Sequence, residues 1–513
     1  MSEVPVPRSR RFRVLAATAA ITLATGVAAL TAESASASPA PKAAAPIRNV
    51  QANLWEWNWP SVAHECTTVL GPAYYAGVQV SPPADSLSRD YTTDDAPILH
   101  PWWDVYQPVD YTLNSRFGTE AQFKSMVKTC RAAGVKVYVD AVINHMTGQG
   151  TKSYGGKTYT HFNYPGLYTS ANFHHKGSDC PSASGGIDDF NDYTQLTKCE
   201  LLGLADLRTD GPATRAKIAG YLNKLISYGV SGFRVDAAKH VGVADMIAIQ
   251  KLLHKTADGT KPYVVQEVFP GSPGEGSQLS YTRSGSVLGF DASYQLKNAF
   301  KSYTADGTGA ISGLRVWGEA AGLMPSNKTL VFIENHDTER GSDTLSYKDG
   351  ATNTIANEFL LAYGYGTPQV YSGFAFTNTY DSPPATSTGY VTNTNCANGA
   401  WVCVDRYQGV RNMVHFHNYV GNAKVANWYD DKANFVAFSR GNQGFFATNN
   451  AKTAKTIKLR TGLRAGTYCE LVHGARKGKT CTGAKVKVGS DGSATITVKA
   501  KDSIAFTVFE RLT

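Results

Sequence analysis

The chain has 513 residues, 42% of them hydrophobic, and 50 Lys+Arg against 41 Asp+Glu give a formal net charge of +9. With 48 Gly and 22 Pro it lies well below the proline- and glycine-rich compositions of low-complexity chains, so a disordered chain is excluded. The basic balance raises nucleic-acid binding, but no helix-turn-helix, zinc-finger or RNP motif accompanies it. The excess is also local: residues 451–513 carry 13 Lys+Arg against 4 acidic residues, leaving the preceding region close to neutral.

At the N-terminus, Arg8, Arg10, Arg11 and Arg13 precede an apolar run over residues 14–30, and the small residues Ala35, Ser36 and Ala37 follow. That order reads as a secretory signal peptide over 1–37, with general and twin-arginine export both open. Eight short apolar segments then have the density of buried parallel strands: 50–55, 77–81, 135–143, 232–238, 263–269, 287–290, 330–335 and 367–372. Between them lie runs with helical spacing: Phe123, Met126, Val127 and Cys130; Ile218, Tyr221, Leu222 and Leu225; Ile247, Ile249, Leu252 and Leu253. Strand and helix alternating eight times predicts an α/β chain built on a (β/α)8 barrel. No G-x-G-x-x-G turn opens a helix, which disfavours a doubly wound open sheet. From about Lys424 the pattern changes to short alternating segments with Gly-rich turns, the form of an antiparallel β-sandwich.

The eight cysteines, at 66, 130, 180, 199, 396, 403, 469 and 481, include no C-x-x-C pair, which argues against a zinc ribbon or a thioredoxin-type motif. Disulfides suit an exported chain. Close spacing points to 180 with 199, 396 with 403 and 469 with 481, which leaves Cys66 for Cys130.

Asp140, Asp236, Glu267 and Asp337 all fall at the carboxyl ends of predicted strands, where a barrel gathers its reactive groups. Paired carboxylates in a pocket are what glycoside cleavage needs: one protonated to serve the leaving oxygen, one ionised to meet the oxocarbenium-like centre. Arg234 shares a strand face with Asp236 and is positioned to hold it ionised, while apolar neighbours and nearby carboxylates would raise the pKa of Glu267. This makes Asp236 the nucleophile and Glu267 the acid/base, with the reverse assignment as the alternative.

DAVINH at 140–145, GFRVDAAKH at 232–240, QEVF at 266–269 and FIENHD at 332–337 resemble the four ordered signature segments of the α-amylase family of glycoside hydrolases. GLADL at 203–207 resembles a fifth, and GVQVSPP at 77–83, PWWDVYQPVDYTL at 101–113 and WVC at 401–403 are similar to the animal-type and actinobacterial members. The resemblance covers roughly 48–513. It implies a barrel over 46–145 and 207–423, an inserted calcium-binding domain over 146–206 after the third strand, and a C-terminal β-sandwich domain over 424–513.

By the same resemblance, Asp337 is a third carboxylate that orients sugar hydroxyls. His145, His336, Arg234 and Lys239 contact the substrate, and Trp102, Trp103 and Tyr106, with Gln107 beside them, form a stacking platform. Calcium is implied on Asn144, Asp206 and the carbonyls of Thr197 and His240. A chloride site would use Arg234 and Asn335, but Gln369 stands where the third, basic ligand is expected, which implies chloride-independent activity. The expected function is endo-acting, retaining hydrolysis of α-1,4-glucans by a secreted monomer acting on starch, glycogen and maltooligosaccharides, without nucleic-acid or membrane partners. An exo-acting α-glucosidase or a transglycosylase is the alternative within the class. A glucan-binding protein without catalysis is the alternative outside it, and intact Asp236, Glu267 and Asp337 argue against that.

Overall fold

Apolar segments too short to be amphipathic helices become the staves of a closed barrel. The computed structural model describes residues 48–89, 98–301 and 310–512, so the signal-peptide reading of 1–37 lies outside the described residues. Eight strands run β1 (Gln51–Leu54), β2 (Gly77–Val80), β3 (Lys136–Ala141), β4 (Gly232–Val235), β5 (Tyr263–Gln266), β6 (Ser286–Leu288), β7 (Thr329–Val331) and β8 (Thr367–Phe374). Each pairs in parallel with the next, and β8 returns to β1 in the register Gln51↔Gln369 to Leu54↔Ser372, so no edge is left open. Every residue of β1, β2 and β4 is buried, because helices cover one face and barrel side chains the other; this is why the sequence shows runs rather than alternation.

The covering helices carry the expected apolar faces in two cases. In α1 (Glu120–Ala132) the buried residues are Phe123, Met126, Val127 and Cys130, and Thr119 with Gln122 forms a capping box at its start. In α2 (Pro212–Ser227) they include Ile218, Tyr221, Leu222 and Leu225. The third differs: α3 (Val243–Lys251) buries Val243, Met246 and Ile249, and ends before Leu252, which is 48% exposed. Of the expected face, Ile249 is buried and Ile247 and Leu253 pack partly buried against the core, while Leu252 turns outward, because closely spaced apolar residues fit more than one 3.6-residue register.

The chain between β3 and α2 contains little regular structure, only a turn at Ser170–Asn172, a short helix at Tyr193–Lys198 and a turn at Leu201–Gly203. It is held by a buried cluster of Tyr159, Tyr164, Tyr168 and Phe173 and by the Cys180–Cys199 disulfide. The other bridges are Cys66–Cys130, Cys396–Cys403 and Cys469–Cys481, the pairing expected from spacing.

The C-terminal region is an antiparallel β-sheet domain. Val425–Asp430, Phe435–Arg440, Gly444–Asn449 and Asp502–Thr507 form one sheet, against which lie the pairs Lys455–Arg460 with Ser493–Val498 and Gly466–Cys469 with Lys485–Val488. Strand alternation divides the main sheet between two cores: Phe435, Ala437, Phe445 and Phe506 face the other strands of this domain, while Val436, Phe438, Phe446 and Ala505 join the barrel core.

Candidate active site

The site is assembled where β3, β4, β5 and the segment after β7 end. Along β4 the i, i+2 rule puts Arg234 and Asp236 on one face, toward the barrel interior. Close packing of β4 on β5 requires Gly232, since a Cβ there would lie 2.2 Å from the Tyr263 carbonyl oxygen. Just past Asp236 the chain turns through Ala237 in the left-handed region (φ 46°), which aims the Ala237 N–H at Glu267 Oε2 (2.8 Å).

One guanidinium organises three carboxylates. Arg234 Nη1 donates to Asp236 Oδ1 (2.6 Å) and Asp140 Oδ1 (2.8 Å), and Nη2 donates to Glu267 Oε1 (2.6 Å). Arg234 pairs with Asp236 as expected, and it binds Glu267 as closely, because the closed barrel brings β3, β4 and β5 around the same side chain. Burial pushes the carboxyls of Asp236 and Glu267 above their ordinary range, and Arg234 opposes this at both; Asp236 adds to the rise at Glu267. Asp337 is pushed well above the usual carboxylate range, by burial and then by Glu267. The three rises share one cause, carboxyls gathered out of water around a single guanidinium that only partly offsets them.

Asp140 lies beneath the cleft, 1% exposed, with Oδ2 accepting from Tyr106 Oη (3.0 Å). Above it is a cleft of about 830 Å³ lined by Trp102, Trp103, Tyr106, Gln107, His145, Asp236, Lys239, Glu267, His336 and Asp337. Of the expected catalytic and sugar-contacting residues only Arg234 is absent from this lining, being buried below the carboxylates it holds. Burial pushes His145 down to about 4 and His336 well below the usual histidine range, so both imidazoles are neutral. His145 Nε2 donates to the Tyr106 carbonyl (3.0 Å), and Lys239 Nζ donates to that of Phe269 (2.9 Å).

Sequence reasoning missed part of the wall. Phe190, Leu201, Leu202 and Leu204, from the chain between β3 and α2, and Phe269, after β5, also line the cleft. Leu202 is 90% exposed with φ 55°, and Phe190 and Phe269 are half exposed. Adjacency of Leu202 to the GLADL segment was the one available signal; exposure itself is a tertiary property.

Beside the cleft, Asn144 Oδ1 and Asp206 Oδ1 are buried without a hydrogen-bond partner. Their backbones are tied together, Leu207 N donating to Asn144 O (2.9 Å) and Met146 N to Ala205 O (3.0 Å). The carbonyl-bearing residues of the expected set lie on neighbouring segments, since His240 Nδ1 donates to Leu196 O (3.0 Å), one residue before Thr197. Two orphaned buried oxygens, one a carboxylate, are costly unless a cation takes them, and an amide, a carboxylate and carbonyls are the ligands a hard cation prefers. The residues present fit calcium.

The family model "Alpha amylase, catalytic domain" matches residues 77–388, and "Alpha amylase, C-terminal all-beta domain" matches 426–509. An α-amylase of Thermomonospora curvata is 41% identical over 94% of this chain and 77% of its own length; the pancreatic α-amylase of Sus scrofa is 38% identical over 87% and 91%. The crystal structure of α-amylase I from Eisenia fetida superposes with a TM-score of 0.83 at 36% identity, covering 90% of this chain and 97% of that one. A glutamate-to-glutamine mutant of the same earthworm enzyme, in complex with maltohexaose, gives 0.84 at 35% identity over the same shares of the two chains. With barrel, sheet domain and overall sequence in common with these relatives, the chain belongs to the α-amylase family of glycoside hydrolases and is a starch-hydrolysing α-amylase.

Proposed function

We propose that this α-amylase cleaves internal α-1,4 bonds of starch, glycogen and maltooligosaccharides with retention of configuration, Asp236 acting as nucleophile, Glu267 as acid/base and Asp337 as the carboxylate that grips sugar hydroxyls. The observation that carries the reading is the bridging of Asp236 and Glu267 by the two ends of one guanidinium. It favours the short separation, about 5 to 5.5 Å, used by retaining enzymes over the wider gap that admits a water in inverting ones.

Substrate binds across the carboxylates. The platform of Trp102, Trp103 and Tyr106 follows β2, and Phe269 follows β5, three strands further round the ring, so apolar surface flanks the cluster from different sides. That supports an open cleft and internal cleavage. Pyranose faces stack on these rings while Gln107, His145, Lys239 and His336 meet hydroxyls. In the first step Glu267 donates its proton to the departing glucosidic oxygen as Asp236 Oδ attacks the anomeric carbon. In the second, Glu267 takes a proton from water, which displaces Asp236.

Asn144, Asp206 and the carbonyls of Thr197 and His240 would hold calcium. The ion supplies charge compensation that ties the segment 146–206 to the barrel, forming an inserted domain between the barrel parts 46–145 and 207–423; the last domain is 424–513. Activity is independent of chloride: Gln369 Nε2 donates to Gln79 Oε1 (3.0 Å), and the donors of Arg234 are directed at carboxylates. Secretion is supported by the four disulfides.

The test is NMR of the first-formed anomer together with the product profile on soluble starch. An α-anomer and a spread of oligosaccharides from random internal cuts are expected. A β-anomer would overturn retention, and glucose alone from chain ends would overturn internal cleavage.

A further inference from the structure

The His336 ring is bracketed by aromatic side chains. It stacks against Tyr106, with centroids 5.1 Å and planes 15° apart, and against Trp55 at 4.9 Å and 11°. Trp102 meets it edge-on at 5.5 Å. Four residues on, in the short turn of helix Thr338–Gly341, Arg340 extends into the same aromatic cluster. Its guanidinium carbon lies 4.5 Å from the Trp55 ring, 5.3 Å from Trp102 and 4.3 Å from Phe376, so two of these rings touch both Arg340 and His336. Arg340 Nη1 donates to the backbone carbonyl of His336 and to Glu339 Oε1, both at 2.8 Å.

The rest of the guanidinium is poorly served. The side chain is 5% exposed, yet Nε and Nη2 have no hydrogen-bond partner. An apolar side chain would fill the aromatic box but leave the buried Glu339 carboxylate, 1% exposed, without its counter-charge. What arginine adds is a rigid tether on the His336 carbonyl and a cation held against the rings that bracket the imidazole. Its charge, with that of Arg234, reinforces burial in keeping His336 neutral.

We propose that Arg340 is a positioning residue for glycoside cleavage, acting through His336: it anchors the His336 backbone and locks the Trp55 and Trp102 rings against which the imidazole rests. The inference rests on the reading of His336 as a sugar contact. Arg340 itself is walled from the cleft by these rings and touches no substrate. Its contribution belongs to kcat, since a hydrogen bond that tightens at the transition state is lost when its donor drifts.

The test is a double-mutant cycle on a chromogenic maltooligosaccharide, with Arg340→Met, Arg340→Lys, His336→Asn and the two combinations, thermal unfolding confirming that each variant is folded. His336→Asn is expected to lower kcat about 100-fold, as removal of a transition-state donor does. Arg340→Met is expected to lower kcat about tenfold with KM nearly unchanged, and Arg340→Lys, which keeps a donor and the charge, to recover part of the loss. In the His336→Asn background either change at Arg340 should cost less than about twofold, because there is no longer an imidazole to position. Losses that add in full overturn the inference while leaving His336 its role, as does wild-type kcat in folded Arg340→Met. Wild-type kcat in His336→Asn refutes instead the sugar-contact reading on which it stands. If Arg340→Met does not fold, the cycle with Arg340→Lys decides by the same criterion.

Discussion

Replacing Glu267 by Gln tests the assignment of the acid/base most directly. Glu267 Oε1 accepts from Arg234 Nη2 at 2.6 Å and Oε2 from the Ala237 N–H at 2.8 Å. A carboxamide offers one acceptor and one donor, so one of these N–H groups loses its partner, a local cost of about 1–3 kcal/mol in stability. Folding survives this, because Arg234 keeps Asp140 and Asp236. The catalytic loss is larger: general acid–base catalysis contributes about 10²- to 10⁴-fold, or roughly 3–5 kcal/mol of barrier. The assay is kcat on soluble starch beside turnover of a maltosyl fluoride, whose leaving group needs no proton. Starch hydrolysis should fall by at least about 100-fold, and the glycosylation step with the fluoride should be largely spared. Starch turnover within about tenfold of wild type, or an equal loss of the glycosylation step with both substrates, would refute the assignment of Glu267.

Three further outcomes are expected. Chelation should lower the unfolding midpoint and activity together, since a ligand at roughly 100- to 1,000-fold its Kd contributes about 3–4 kcal/mol; Asp206→Asn should reduce calcium affinity, and indifference to both would remove the ion from this site. Adding chloride to halide-free enzyme should leave kcat unchanged, whereas strong activation would show that the Gln369–Gln79 pair admits an anion. The third concerns Glu358, on the helix Ala351–Tyr363, where burial and then the charges of Asp502 and Glu470 push the carboxyl from 4.5 up to about 8, against opposing contributions from Ser503 and His473. A pKa raised on folding means that the native state binds the extra proton, so this stability is complete below about pH 4.5 and is lost as pH rises toward 8, by about 3 kcal/mol at pH 7. Glu358→Gln should therefore flatten the fall in unfolding midpoint between about pH 5 and pH 8; a curve parallel to wild type would show that Glu358 does not hold the proton.

Much of the fold was legible because its signals are local. Eight buried strands appear as eight apolar runs, and α1 and α2 display their core faces at 3.6-residue spacing. The α3 face was legible only in part: Ile249 was expected, but closely spaced apolar residues carry no phase, and packing added Val243 and Met246 while turning Leu252 out. Short cysteine spacings marked three loops, and parity left the fourth bridge, Cys66–Cys130.

The sequence by itself determined the class of chemistry: carboxylates at the ends of β4 and β5 and an arginine two residues before one of them. Tertiary structure alone decided which of those groups share a partner and which line the cleft. Closing the ring put Asp140, Asp236 and Glu267 on one guanidinium, sank Asp140 below the cleft, brought Phe190 and Leu202 to its wall, and set Arg340 behind His336. The reason is that period-2 and period-3.6 patterns record which face a residue occupies on its own element, whereas shared partners, burial and proton affinity depend on which elements meet.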